Sequence, residues 1–465
     1  MITCLLAGKQ LTGLQVQKAG LSYVKKRMEK IRDPETDPVR KRRPVQSGTP
    51  ADSRSKKMKY EDAVKKLSEY GQEHVLRFYE TLDEGEKEAL LRQIDETDFS
   101  VISALGNEKE NIKRGVITPL AAMRADEIES RKEIFREEGL AAIRAGKVAA
   151  VLLAGGMGTR LGSPDPKGMY DIGISRHVYI FQRLIENMLD VVREAGCFFH
   201  LYVMTSEKND AKTRAFFKEH DYFGYDPSFV AFFCQDNAPT VDFNGKVLME
   251  SKGRISTSPN GNGGWMKSLE RAGLLQEMHR EGVEWLNTFS VDNVLQKICD
   301  PVFVGATILS GRDSGSKVVR KANPEEAIGV ICSEDGRTAV VEYSELSEEM
   351  RYAKDDSGDY AYYYGVILNY LFSLPAAEKV MNDEMTNHIA RKKIACIDEE
   401  GNAVKPETPN GCKFELFIFD LLKGMNGCLP FEVVRSREFA PVKNKEGADS
   451  VQTARELCLQ NGIEL

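Results

Sequence analysis

A short apolar run that ends in a glycine-rich loop constrains the fold of this chain more than any other feature. Residues 148–153 read VAAVLL, and the loop AGGMGTRLG follows directly. Six consecutive apolar residues that end at glycine are typical of a strand buried on both faces, as in parallel sheets covered by helices. Ligands of open α/β sheets bind outside the carboxyl end of such a strand. The sequence therefore predicts a buried parallel strand with a ligand site at the loop that follows it.

Helical and strand-like patterns alternate after this loop. Helical periodicity covers 179–194, 208–219 and 263–280, and apolar runs fall at 198–204, 230–233 and 285–291. This alternation indicates βαβ units and a mostly parallel, three-layer α/β sheet. Short β-rich runs from 317 to 343, with a turn at Asp335-Gly336, predict an antiparallel element. Before the sheet, apolar periodicity predicts helices over 60–99 and 120–145.

Charge and cysteine content restrict the class of protein. Residues 1–58 have a net charge of +9 and the remaining residues have −16. The acidic body argues against nucleic acid binding by its surface. The leader, which contains Arg40 to Arg43, reads either as a nuclear address or polyanion-binding arm or as a solvated extension. Nine cysteines without CxxC spacing argue against zinc, and we expect reduced thiols, a cytoplasmic location and no membrane contact.

The glycine loop fits neither of two common nucleotide-binding motifs. A dinucleotide fingerprint opens directly into a helix, but Pro164 and Pro166 prevent a helix before about Ser175. A P-loop needs Ser or Thr after its lysine, whereas Gly168 follows Lys167. Glycines expose backbone N–H groups to phosphates, and Arg160 and Lys167 add positive charge. The pattern favours a long phosphate-binding loop with a terminal lysine, as in sugar nucleotidyltransferases.

The loop resembles that of the eukaryotic-type UDP-N-acetylhexosamine pyrophosphorylase family. The family pattern LAGGxGTRLGxxxPKGMYD stands at 153–171, and further segments match in order at 71–91, 232–243, 258–269, 290–301, 317–347, 409–420 and 439–444. The resemblance implies a Rossmann-like fold of the nucleotide-diphospho-sugar transferase type. It implies transfer of UMP from UTP to N-acetylglucosamine 1-phosphate, with release of pyrophosphate and participation of Mg²⁺. It does not fix the oligomeric state, for which we expect a monomer or a weak homo-oligomer.

The resemblance also implies roles for individual residues. Arg160 and Lys167 would be catalytic, since both reactants are anions and the work is charge neutralisation and positioning. Asp292 would bind the metal, although an Asp at this position could instead cap a following helix. The nucleotide-binding residues would be Leu153, Ala154, Gly155, Gly156, Gln235, Gly261 and Lys413. The sugar-binding residues would be Asn262, Glu342, Tyr343 and Lys443.

Two departures from the family pattern concern the sugar. Asn260 stands where the family has Asp, and Val366 stands where the family has an Asn that contacts the sugar. Either Asn369 replaces that contact, or other hexose 1-phosphates are accepted, or the register slips near Tyr360 to Tyr364. The alternatives are therefore a UDP-glucose or broad UDP-sugar pyrophosphorylase and, in another class, a sugar-nucleotide-binding regulator without turnover.

The combined patterns predict four regions. We expect a basic, disordered extension at 1–58, a helical region at 59–146, a catalytic nucleotidyltransferase domain at 147–400 and a small C-terminal domain at 401–465.

Overall fold

A computed structural model describes residues 57–106, 114–381 and 387–465. The predicted extension, with Arg40 to Arg43, lies outside the described residues except for its last two positions. Within the described ranges no helix is long and apolar enough to cross a membrane.

A mixed β-sheet forms the centre of the molecule. Its middle strand is Val148–Leu153, which pairs in parallel with Leu201–Thr205 on one side and Trp285–Ser290 on the other. Val230–Cys234 continues the parallel part beyond Leu201–Thr205. All six residues of the middle strand are buried, because helices cover both faces of a parallel sheet. The predicted buried strand and the α/β class are confirmed.

Antiparallel strands extend the sheet on the other side. Tyr364–Ser373 pairs antiparallel with both Trp285–Ser290 and Ser314–Arg320, and Cys428–Glu432 pairs in parallel with Ser314–Arg320. The remaining strands of this sheet in the described part of the chain are Ile117–Pro119, Val330–Glu334 and Arg337–Val341. The last two form the antiparallel hairpin predicted around Asp335-Gly336, where both residues have positive φ angles of 50° and 80°.

Short strands outside the main sheet form small ribbons. One ribbon has three strands, His388–Lys392, Gly411–Glu415 and Val241–Asp242, and the others pair Cys396–Ile397 with Ala403–Val404, Asn237–Pro239 with Thr257–Pro259, and Met249–Ser251 with Arg254–Ile255.

The helices agree with the predicted order; Ile180–Ala195 has the predicted length, and the other predicted helices are shorter or interrupted. Their bounds are Tyr60–Glu69, Glu84–Glu96, Ala125–Ser130, Lys132–Arg144, Ile180–Ala195, Asp210–Glu219, Trp265–Arg271, Leu274–Glu281, Pro301–Leu309, Glu348–Tyr352, Leu374–Met381, Leu421–Gly424, Arg435–Glu438 and Val451–Gln460. The helix predicted over 263–280 breaks at Gly273, whose φ of 73° is left-handed. The helix predicted over 120–145 starts at Ala125 and breaks at Arg131.

The apolar pattern of residues 72–82 does not produce an α-helix. It forms two 3₁₀ turns, Glu73–Leu76 and Tyr79–Thr81, because tertiary packing outweighs helical periodicity over so short a stretch. Val75 and Leu82 are nevertheless buried, together with Val241 and Ile255, in a second apolar core beside the sheet.

The described residues from 57 onward belong to one compact unit. The boundaries predicted at 146 and 400 stay predictions. The strand Cys428–Glu432, from the predicted C-terminal domain, is part of the main sheet.

Candidate active site

The glycine loop folds back on the strand that precedes it. The N–H of Gly158 donates to the carbonyl of Asp165 at 2.8 Å, and the N–H of Lys167 donates to the carbonyl of Gly156 at 3.1 Å. Between Leu153 and Ile180 the chain forms no α-helix and contains two short 3₁₀ turns, as the two prolines predict. The N–H groups of Gly155 and Gly156 donate to no atom of the described chain. Such adjacent free N–H groups can bind an anion.

Asn209 supports this loop from below. Its side chain is fully buried, and its Nδ2 donates to the carbonyl of Ala154 at 2.9 Å. Its Oδ1 accepts from the N–H of Ser206 at 2.7 Å. The N–H of Ala154 donates to the carbonyl of Met204, so both backbone polar groups of Ala154 are satisfied within the chain. Ala154 thus shapes the loop without a free donor of its own.

Lys167 and Asp292 form an ion pair where the loop meets the end of a neighbouring strand. Nζ of Lys167 lies 2.5 Å from Oδ1 of Asp292, and their side chains are 12% and 28% exposed. Asp292 follows the strand Trp285–Ser290, so the carboxyl ends of two adjacent parallel strands bring the pair together. No helix begins at Asp292, and the next helix is capped by Asp300 instead. The helix-capping interpretation of Asp292 is therefore wrong.

A cavity of about 320 Å³, here called the central cavity, opens beside this ion pair. Nine of the predicted site residues line it: Leu153, Gly155, Gly156, Arg160, Lys167, Gln235, Asn262, Asp292 and Lys443. Arg160 is exposed and makes no ion pair with the described residues. Three cationic side chains and one carboxylate thus line the cavity beside the glycines of the loop. This arrangement suits a polyanionic ligand.

Gln235 lies directly over Gly155. A Cβ added to Gly155 would stand 2.4 Å from Nε2 of Gln235 and 2.9 Å from its Oε1. The N–H of Gln235 donates to the carbonyl of Thr205 at 2.8 Å, which fixes the residue at the end of the parallel strands. Only glycine leaves room for the amide at this place, and that amide can both donate and accept a hydrogen bond.

The segment from Asn260 to Gly264 packs against the backbone of Leu416. Gly261 has a φ of 72°, and a Cβ there would stand 2.3 Å from the carbonyl oxygen of Leu416. Asn262 reaches the central cavity, and its Oδ1 accepts from the N–H of Ile418 at 3.0 Å. The backbone of Ile418 therefore holds Asn262 where it lines the cavity.

Known proteins are similar in sequence to this chain over most of its length. The UTP–glucose-1-phosphate uridylyltransferase family matches residues 99–458. This chain belongs to that family. UDP-N-acetylhexosamine pyrophosphorylase-like protein 1 of Homo sapiens is 39% identical over 86% of this chain and 84% of its own length. UDP-N-acetylglucosamine pyrophosphorylase of Saccharomyces cerevisiae is 35% identical over 86% and 90%.

A solved structure has the same fold. It is the uridine diphosphate N-acetylglucosamine pyrophosphorylase of Trypanosoma brucei in complex with an inhibitor, with a TM-score of 0.75 and 31% identity over 86% of this chain and 84% of that chain. The resemblance to the pyrophosphorylase family stated from the sequence is confirmed.

Five residues expected from the family pattern do not line the central cavity: Ala154, Gly261, Lys413, Glu342 and Tyr343. Ala154 and Gly261 are neighbours of lining residues in the chain, whereas the other three lie elsewhere. Lys413 lies in the strand Gly411–Glu415, opposite Ala390 of the neighbouring strand. Glu342 and Tyr343 follow the strand Arg337–Val341, and Tyr343 is 47% exposed. Their roles in this family member stay predictions.

Glu342 and Val366 both have side-chain atoms near Gly329. A Cβ added to Gly329 would be 3.5 Å from Oε1 of Glu342 and 3.6 Å from Cγ2 of Val366. Burial raises the pKa of Glu342, and the nearby Glu345 raises it further, against the lowering effect of charges that include Lys443.

Asn369 does not replace the Asn that the family pattern has where Val366 stands. It is fully buried, its Oδ1 accepts from Nδ2 of Asn287 at 2.8 Å, and its Nδ2 donates to Oε1 of Gln296 at 3.2 Å. These bonds commit the side chain to the interior of the sheet. The hypothesis that Asn369 contacts the sugar is wrong for this structure.

Sequence reasoning did not find Asn209 or Leu368. Asn209 belongs to the polar run that follows the strand Leu201–Thr205, and that position at a strand end was an available signal. Leu368 lines the cavity with a left-handed φ of 52°. No sequence pattern indicates this conformation for a leucine, which rarely adopts it.

Proposed function

We propose that this chain is a uridylyltransferase that converts UTP and N-acetylglucosamine 1-phosphate into UDP-N-acetylglucosamine and pyrophosphate. The observation that carries the proposal is the Lys167–Asp292 pair at 2.5 Å on the wall of the central cavity. The names of the relatives from Homo sapiens and Saccharomyces cerevisiae support the choice of a UDP-N-acetylhexosamine product. A cytoplasmic location and a monomer or weak homo-oligomer complete the proposal.

The chemistry is an in-line displacement at phosphorus. An oxygen of the sugar phosphate attacks the α-phosphorus of UTP, a new P–O bond forms, and the bond to the bridging oxygen breaks as pyrophosphate leaves. Lys167, only 12% exposed, is suited to neutralise charge near the α-phosphate, since a partly buried cation is weakly screened. Arg160 is suited to hold the outer phosphate oxygens of UTP, and Lys443, predicted on the sugar side, is suited to hold the sugar phosphate.

Asp292 suits a role as a ligand for Mg²⁺. Mg²⁺ sites commonly use one or two carboxylates together with substrate phosphate oxygens, so a single carboxylate on the cavity wall fits that donor set. Within the described residues there is no group of three or more His, Cys, Asp or Glu side chains that would form a complete protein site. The metal would supply additional neutralisation of phosphate charge.

The first experiment measures pyrophosphate release in the parent and in Lys167→Ala. We expect kcat to fall by about 100-fold or more, because one charge-stabilising donor is removed. Lys147→Ala is the matched control: Nζ of Lys147 lies 3.0 Å from Oε1 of Glu284, at the amino ends of the two strands whose carboxyl ends lead to Lys167 and Asp292. Turnover of Lys167→Ala within threefold of the control would refute the role of Lys167.

The second experiment compares sugar 1-phosphates with UTP. Val366 favours one rival function, a UDP-glucose or broad UDP-sugar pyrophosphorylase, because valine cannot hydrogen-bond an N-acetyl group. We expect N-acetylglucosamine 1-phosphate to give the highest kcat/KM. A higher kcat/KM for glucose 1-phosphate would overturn the substrate assignment. No turnover with any sugar 1-phosphate would favour a non-catalytic regulator.

A further inference from the structure

Lys317 is a fully buried lysine that does not line the central cavity. Its side chain is 0% exposed, and its Nζ donates to Oε2 of Glu438 at 2.6 Å, to Oδ2 of Asp300 at 3.1 Å and to the carbonyl of Lys297 at 3.1 Å. Three donors thus meet three acceptors, so the ammonium group is completely satisfied. Burial lowers the pKa of Lys317, but the carboxylates of Glu438 and Asp300 hold that pKa above its ordinary value.

A buried ionic cluster of this kind is not explained by stability alone. The two carboxylates are 10% and 8% exposed, and removal of charges from water largely offsets their attraction. Apolar groups of similar volume often stabilise a core equally well. The ionic cluster instead fixes the relative positions of the three chain segments that carry Lys317, Asp300 and Glu438.

One branch of the cluster leads to Asp292 and Lys443. The carbonyl of Glu438 accepts from Nδ2 of Asn293 at 2.7 Å, and Oδ1 of Asn293 accepts from the N–H of Ala440 at 2.9 Å. The N–H of Val442 donates to the carbonyl of Asp292 at 2.9 Å. Backbone hydrogen bonds therefore join the chain segments that carry Asp292 and Lys443. These bonds lie next to Glu438, which is paired with Lys317.

A second branch leads to Leu368. The carbonyl of Lys297, which accepts from Lys317, also accepts from Nδ2 of Asn369 at 3.2 Å. Lys317 and Leu368 lie within the same irregularity of strand pairing, between the pairs Ser316–Tyr370 and Val318–Val366. Leu368 adopts its left-handed φ of 52° there and lines the cavity. Such a conformation persists only where surrounding contacts fix it.

We propose that Lys317 is a positioning residue for the transfer reaction, which sets the spacing of Asp292, Lys443 and Leu368 around the central cavity through Glu438, Asp300 and the carbonyl of Lys297. The inference rests on the proposed uridylyltransferase function. Lys317 touches no reactant, and its effect on turnover passes through the residues that line the cavity.

The predicted nucleotide-binding residues, Gln235 and those of the glycine loop, have separate supports. Gln235 is held by the carbonyl of Thr205, and the glycine loop is held by Asn209, whose partners are Ala154 and Ser206. None of these bonds involves the cluster around Lys317. Loss of the cluster is therefore expected to reduce kcat while UTP affinity changes little, which a general loss of folded protein would not produce.

The test uses the full chain with two Lys317 variants. Lys317→Met removes the ammonium group and leaves two carboxylates unpaired, which threatens folding. The triple variant Lys317→Met, Asp300→Asn, Glu438→Gln removes all three charges and keeps similar volumes. Arg320→Met is the matched control, because Arg320 lies on the same strand and its Nε pairs with Oε1 of Glu432 at 2.6 Å.

The measurements are kcat by pyrophosphate release, Kd for UTP by calorimetry, and thermal unfolding. For the triple variant we expect a cooperative unfolding transition, a Kd within about threefold of the parent and a kcat lower by tenfold or more, since about 1 Å of misplacement can lower rates 100-fold. The kcat of Arg320→Met should stay within about threefold of the parental kcat, because this change does not displace residues of the cavity.

Three outcomes would overturn the proposal. The triple variant could fold and keep the parental kcat. Its kcat could fall only in proportion to the fraction of protein that still binds UTP, or both Lys317 variants could fail to fold. Each would make Lys317 a stability residue alone. A parent protein without turnover on any sugar 1-phosphate would instead refute the proposed function, so the two failures are distinguishable.

Discussion

Replacement of Gly155 by alanine is a direct test of the nucleotide-binding geometry. The new Cβ would stand 2.4 Å from Nε2 of Gln235, whereas ordinary contacts begin at 3.4 Å, so the amide must move by about 1 Å. The backbone beneath Gly155 cannot retreat easily, because the carbonyl of Ala154 is bonded to Nδ2 of buried Asn209 at 2.9 Å. We therefore expect the side chain of Gln235 to be displaced.

The magnitude follows from the hydrogen bonds that the displaced amide would lose. Gln235 is predicted to bind the nucleotide, and its amide can donate one hydrogen bond to a base and accept another. Each is worth about 0.5–1.5 kcal/mol net, so their loss amounts to about 1–3 kcal/mol. The Kd for UTP should rise by about 5- to 150-fold.

A double-mutant cycle measured by calorimetry decides whether the effect passes through Gln235. In the Gln235→Ala background, the alanine at 155 has no amide to displace, so Gly155→Ala should add little. Gly106→Ala controls for glycine replacement itself, since its Cβ would stand 3.6 Å from the nearest atom, the carbonyl oxygen of Ser103. If Gly155→Ala weakens UTP binding equally with and without the Gln235 amide, the proposed contact is refuted.

Three other substitutions test neighbouring parts of the site. Asn209→Ala leaves the carbonyl of Ala154 without its side-chain donor and should lower the free energy of unfolding in urea by about 1–3 kcal/mol; an unchanged midpoint would contradict the support role. The folded-state pKa of Glu342 is raised above 4.5, so its ionisation opposes folding as pH rises. Glu342→Gln should therefore raise Tm at neutral pH, with no gain below pH 4.5. An equal gain at both pH values would show that the gain does not come from the ionisation of Glu342. Val366→Asn should shift kcat/KM toward N-acetylglucosamine 1-phosphate over glucose 1-phosphate by roughly tenfold, the worth of one hydrogen bond, and an unchanged ratio would remove Val366 from sugar selection.

Much of the site could be predicted because strand order places strand ends together. Lys167 and Asp292 are 125 residues apart in sequence, yet each follows a buried strand, and the carboxyl ends of neighbouring parallel strands share one edge. The absence of a helix before Ile180 also followed from local chemistry, since two prolines interrupt the loop. These predictions needed only residue type and position along the chain.

Other features depend on contacts that no local pattern contains. Lys317 reads as a surface lysine in a short strand, and its burial follows from acidic partners 17 and 121 residues away. Asn369 resembled a candidate sugar ligand in sequence, but in the sheet its side chain accepts a hydrogen bond from Asn287 on the neighbouring strand. The break at Gly273 likewise depends on a left-handed φ that helical periodicity does not encode.

The strand Cys428–Glu432 has a consequence for the order in which the molecule is assembled. It pairs with Ser314–Arg320, and residues beyond it supply Lys443 to the central cavity. During synthesis, a chain that ends before residue 428 has the glycine loop and Asp292 but an open sheet edge and an incomplete cavity wall. Pairing over so long a sequence separation is slow, and unpaired edges favour aggregation. The last strand of the sheet therefore links two events, since its pairing closes the edge at Ser314–Arg320 and brings the segment that carries Lys443 to the cavity.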